Sequence, residues 1–166
     1  MNLIWKIANY LAKPYLFISG SPIKKPRTSF AMMRLYLAIQ LFQYHYNKEK
    51  KNGALLLIAK CYQSMEKLDD SFKYLKLAWE TDPFNSVLFK EIGTCCLNLQ
   101  KFDEGLRYAL KEVSQFPSNP EAKANLAYFL YKNNRLGEAK KVIDEAIQLD
   151  NSNQYVNNIF KILENV

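Results

Sequence analysis

The chain has 166 residues, 49% of them apolar and 23% charged, with five glycines, six prolines and three cysteines. These proportions fit one compact unit or a short repeat array, and they exclude wholesale disorder and a turn-rich all-β protein. The formal charge of +7 sits at one end: residues 1–51 carry nine bases against the single acid Glu49, a net of +8, and the rest sums to −1. Charge divided this way marks two segments with different tasks rather than a generally basic protein.

Residues 1–28 read as a basic amphipathic arm followed by a tether. Leu3, Ile4, Ile7, Ala8 and Leu11 recur at helical spacing, with Lys6, Asn9 and Lys13 between them. Pro14 is expected to end or kink this helix near Lys13. The stretch is too short and too often interrupted for a membrane span, and a signal peptide is not expected either. Residues 19–28 hold one glycine, two prolines and three bases, the composition of a loop. Thr28 or Ser29 then caps a helix running from Phe30 to Tyr46 that is apolar on most faces, so cover on more than one side is expected.

From Asn52 onward the chain repeats. Segments 52–85, 86–119 and 120–153 align without gaps at a spacing of 34 residues, and a fourth register, 154–166, stops after thirteen. Position 8 holds Ala59, Gly93 and Ala127, and position 20 holds Ser71, Gly105 and Ala139. Positions 7, 11, 17 and 24 are mostly large and apolar, so small residues let two antiparallel helices approach while the large ones fill the seam. Acids follow the turn at Asp69-Asp70, Asp103-Glu104 and Glu138, where they complement a helix dipole. Position 32 is Pro83, Pro117 and then Asn151; position 27 is Ala78, Glu112 and Ala146.

This period and these residues resemble the tetratricopeptide repeat family over 52–153, with 154–166 similar to its solvating cap helix. The departures are Glu112 at a position normally small, Asn151 in place of proline, and Leu55, Phe89 and Lys123 where tryptophan is usual. The resemblance implies an all-α, right-handed α-solenoid of helix-turn-helix repeats, here with an N-terminal helical arm. Ala38 and Phe42 match positions 20 and 24 of a degenerate leading repeat, 29–51, whose first helix has been lost. Residues 29–166 are therefore expected to form the repeat domain, with 29–47 packed on the first full repeat.

The resemblance also implies a concave groove, lined by first helices, that binds a peptide or helix of a partner protein. Carried onto this chain, the lining includes Leu56, Lys60 and Gln63; then Lys90, Thr94, Leu97 and Asn98; then Tyr128, Tyr131 and Lys132. Apolar and aromatic positions with one lysine per repeat suit a partner with apolar anchors and acidic residues. The terminal-carboxylate clamp of some members is matched only in part, by Lys90 and Asn125. Thr94 stands where asparagine is expected, and the next clamp bases fall on Tyr155 and Ile159.

No catalytic motif is present in the sequence: no phosphate-cradling glycine loop, no G-x-S-x-G, H-E-x-x-H or C-x-x-C. His45 is the single histidine, and Cys61, Cys95 and Cys96 fall at packed repeat positions as small core fillers. Three cysteines, two of them adjacent, cannot complete a disulfide framework, so a reducing, cytoplasmic setting is expected. Neither a metal nor a cofactor is implied. The expected function is non-enzymatic protein–protein interaction, as adaptor, scaffold or partner-specific chaperone. The alternative is a membrane-associated assembly factor whose arm, through Trp5, Lys6, Lys13, Lys24, Lys25 and Arg27, docks on anionic lipid or a membrane complex. Nucleic acid ranks below both, because no recognition helix or RNA-binding motif accompanies the charge. The bland reading of the arm is a cap that seals the repeats with its apolar face.

Overall fold

The computed structural model describes residues 3–15, 28–49 and 53–166. Among these the chain forms helices α1 (Leu3–Ala12), α2 (Ser29–Glu49), α3 (Gly53–Ser64), α4 (Leu68–Thr81), α5 (Ser86–Asn98), α6 (Phe102–Gln115), α7 (Pro120–Lys132), α8 (Leu136–Leu149) and α9 (Gln154–Glu164), and no strand. The helix pairs α3–α4, α5–α6 and α7–α8 fall inside the three 34-residue segments, and α9 begins with the fourth register. Two compact units are built from them, Met1–Leu88 and Phe89–Val166.

The turn within each repeat is made the same way three times. Position 15, occupied by Glu66, Gln100 and Asn134, adopts φ of 58°, 56° and 60°. The following amide donates back to the carbonyl at position 11: Lys67 to Tyr62 at 3.0 Å, Lys101 to Cys96 and Arg135 to Leu130, both at 2.9 Å. A left-handed residue with a six-to-one bond closes the first helix, although no glycine marks the spot. The start of the next repeat is also uniform. Asn85, Asn119 and Asn153 all stand at position 34. The Oδ1 of Asn119 accepts from the amides of Glu121 and Ala122, and that of Asn153 from Tyr155 and Val156. Asn85 accepts from Val87. These caps satisfy amides that a helix start leaves without an intrahelical acceptor.

In the first unit α1 packs on α2, α2 on α3 and α3 on α4. α1 thus lies against the helix expected to stand for the leading repeat. Ala8 and Ala12 are fully buried against a core that includes Leu35, Ala38, Phe42, Ile58 and Cys61. Small side chains on α1 are what permit this approach. Trp5 stacks edge-on to Phe42 at 5.4 Å and lies 4.8 Å from the buried ring of His45, whose Nδ1 is 3.4 Å from a Glu49 oxygen. Thr28 supplies the cap of α2, its Oγ1 accepting from the amide of Ala31 at 3.2 Å. Pro14 lies in the turn after α1. Despite cover from α1 and α3, α2 leaves Phe30, Met33, Leu37 and Tyr44 exposed.

In the second unit α7 packs on α6, α8 and α9, and α8 on α9. Leu126, Leu130, Ile143, Val156 and Leu163 are buried there. The tightest point is the ring of Phe129, which faces Gly93 on α5 and Gly105 on α6. A Cβ on Gly93 would reach ordinary contact with the ring at 3.5 Å, whereas one on Gly105 would overlap it.

Two substitutions probe these features by chemical denaturation. Gly105→Ala overpacks the Phe129 slot, and because that ring is 3% exposed and cannot swing out, stability is expected to fall by about 1–3 kcal/mol. Asn119→Ala removes the α7 cap at an expected cost of about 1 kcal/mol.

Candidate partner-binding face

Lys90, Thr94, Leu97 and Asn98 recur at helical spacing on α5, and Tyr128, Tyr131 and Lys132 do the same on α7. Lys90, Thr94 and Asn98 are exposed, Leu97 half-buried. Thr94 donates its hydroxyl to the Lys90 carbonyl at 2.9 Å. The rings of Tyr128 and Tyr131 tilt together at 6.2 Å. Lys132 is not a loose surface charge. Its ammonium lies 5.4, 5.5 and 5.8 Å from the ring centres of Tyr128, Tyr131 and Phe102, a cation held over three aromatic faces.

Beside these residues lies a polar network centred on Glu112, a residue outside the expected groove lining. Glu112, only 5% exposed, occupies the position that is alanine in the other two repeats. Asn125 Nδ2 donates to Glu112 Oε2 at 3.2 Å, while the Tyr155 hydroxyl donates to Asn125 Oδ1 at 2.5 Å. Asn153 at the cap of α9 reaches Glu121 at 3.5 Å. One side-chain chain thus ties α6, α7 and α9 together. Burial raises the Glu112 carboxyl above its ordinary value, the Asn125 bond and the charge of Lys90 oppose that shift, and Glu121 adds to it. Burial, followed by the nearby acids Glu112 and Glu121, pushes the Tyr155 phenol up to about 12, so it stays protonated and donates. Asn125 spends both ends of its amide inside this network, and Ile159 is buried. The signal available in the sequence was the departure at position 27: an acid placed where two repeats bury a methyl needs a partner.

The remaining expected site residues fall elsewhere. Leu56, Lys60 and Gln63 are half-buried on α3 in the first unit. Trp5 is turned onto Phe42 and His45, whereas Lys6 and Lys13 are exposed. Lys24, Lys25 and Arg27 lie outside the described residues. All three cysteines are buried, and burial pushes the Cys61 thiol up to about 12, so it is held as the neutral thiol. No described helix is long and apolar enough to cross a membrane.

Residues 99–159 match the family model for the tetratricopeptide repeat. No curated protein sequence is significantly similar to the chain. Solved structures share the fold at low identity. MamA from Desulfovibrio magneticus RS-1, residues 41 to the end, superposes with a TM-score of 0.70 at 10% identity, covering 99% of this chain and 85% of its own. YrrB, described as a TPR protein with an unusual peptide-binding site, gives 0.64 at 17% identity over 79% of this chain and 71% of its own. The first TPR domain of Spaghetti (RPAP3), bound to the HSP90 peptide SRMEEVD, gives 0.61 at 21% identity over 70% and 92%. The match over residues 99–159, the 34-residue period and the paired helices make the chain similar to the tetratricopeptide repeat family, and the solved structures share its all-α repeat fold.

The buried acid makes stability depend on pH with a defined sign. Folding favours the protonated form of Glu112, so the native state holds a proton from the ordinary carboxylate value of 4.5 up to the raised native value. Stability is full below that window and declines as pH rises through it. Glu112→Gln keeps an acceptor for Asn125 without the charge. Its urea midpoint is expected to exceed that of the unaltered chain by a margin that grows with pH above 4.5 and then levels off. A variant less stable at neutral pH would mean that Lys90 and Asn125 outweigh desolvation.

Proposed function

We propose that the chain is a non-catalytic protein-binding module, an adaptor, scaffold or partner-specific chaperone, that takes a helix or extended segment of another protein on the α5–α7–α9 face. The observation that carries this reading is the three-ring seat of Lys132 beside Tyr128 and Tyr131, with Lys90 exposed on α5. An ammonium oriented by aromatic faces offers one fixed charge in an apolar surround. That combination suits a carboxylate flanked by apolar anchors. The peptide-bound RPAP3 domain and the peptide-binding description of YrrB support a protein ligand, as does the tetratricopeptide repeat match over residues 99–159. Because Asn125 is committed to Glu112 and Tyr155, the partner is read through side chains along its length and not through a clamped chain terminus.

The test is affinity capture with the full chain from its native source, followed by direct binding of the recovered partner. Lys90→Glu with Lys132→Glu is expected to weaken binding by about 10–100-fold while the helical circular dichroism is retained. Undiminished binding of the partner to that folded variant would remove this face as the interface.

A further inference from the structure

The first unit carries a second surface that the face described above does not use. α1 turns Ala8 and Ala12 inward and leaves Leu3, Ile7 and Tyr10 exposed, a stripe at helical spacing. α2 does the same with Phe30, Met33 and Leu37, which are 63%, 59% and 45% exposed. Where Tyr10 and Leu11 of α1 meet Phe30, Met33 and Leu37 of α2 lies an open groove of about 640 Å³, with Tyr36 and Gln40 also in its lining. Two helices in contact normally spend their apolar residues on each other or on a core; here eight large ones, Tyr36 and Tyr44 included, are left to solvent. Exposed apolar residues gathered into one patch mark a binding surface far more often than single ones do.

The charges in the lining of this groove and on α1 are of one sign. Arg34 is its charged lining residue, its guanidinium 3.4 Å from the Tyr10 carbonyl oxygen and 5.9 Å from the centre of the Tyr10 ring. Lys6 and Lys13 are exposed on α1. The one acid of α1 and α2 is Glu49, at the far end of α2 beside His45. A second copy of this surface would bring like charges together. A flat bilayer would meet the rims of the groove but not fill its floor. A helix fills a trough between two helices by laying side chains into it at i, i+3, i+4 and i+7. We propose that the α1–α2 groove docks an amphipathic helix of a partner protein whose apolar stripe is flanked by acidic residues, one of them placed to pair with Arg34.

The probe is a displayed library of helical peptides, each of roughly five turns, with apolar residues fixed at i, i+3, i+7 and i+10 and the flanking positions randomised. It is selected on the full chain. Enriched peptides are expected to be net acidic, and salt is expected to weaken them. Met33→Glu with Leu37→Glu, at positions already exposed, is expected to reduce their affinity by about tenfold or more, and Arg34→Glu by about threefold to tenfold. Enriched peptides that are neutral or basic, or that ignore these substitutions, overturn the proposal, as does a selection that enriches nothing. Three other results reassign the groove and also overturn it. Self-association in sedimentation that Met33→Glu abolishes gives the groove to a second copy. Flotation with phosphatidylserine vesicles that the same substitution abolishes gives it to lipid. A gain in peptide affinity on replacing Leu16, Phe17 and Ile18 by serine gives it to the tether.

Discussion

The second unit depends on one steric constraint, the slot that Gly93 and Gly105 leave for the ring of Phe129. In the first repeat the same two positions are Ala59 and Ser71, both buried, and in the third they are Ala127 and Ala139. All six are small for the same reason: two antiparallel helix backbones can close only where side chains do not hold them apart. Glycine goes one step further and makes room for a ring from the following repeat. With Phe129 seated, α7 presents Tyr128 and Tyr131 on its other side, and Lys132 comes to lie over their rings.

A repeat array stabilised by contacts between neighbouring repeats accommodates a local departure from the pattern. Glu112 is such a departure. Its two equivalents, Ala78 and Ala146, are buried methyl groups, whereas Glu112 brings a carboxyl into the same kind of site, where Asn125, itself held by the Tyr155 hydroxyl, donates to it. Burying an acid costs stability unless hydrogen bonds compensate, and networks of this kind fix geometry more firmly than apolar packing does. The result is a rigid polar seam beside an aromatic one. A face built this way is preorganised, and preorganisation lowers the ordering entropy that binding must overcome.

The arm has two faces with different surroundings: Ala8, Ala12 and Trp5 turn towards α2, and Leu3, Ile7 and Tyr10 remain exposed. Trp5, whose aromatic character suggested an interfacial anchor, is instead occupied by Phe42 and His45.

Helix pairing was legible in the sequence because a 34-residue period repeats three times, and small residues at fixed offsets have one economical explanation. Two other repeated devices were present but silent. The asparagines at position 34 read as loop residues until their side chains are seen accepting from helix amides, and position 15 carries Glu66, Gln100 and Asn134 in a conformation that glycine usually signals. The place of α1 beside α2, in line with the reading of the arm as a cap, is not set by the 34-residue spacing, because a longer connection separates the two helices. So the sequence by itself determined the helix count per repeat, the buried small positions and the basic character of the first 51 residues, all properties of local pattern and composition. Tertiary structure alone decided which charges have partners: Lys132 finds three rings, Glu112 an amide, and Arg34 an acid-free groove. Those outcomes depend on distances between residues far apart in the chain, and a periodic pattern carries no information about them.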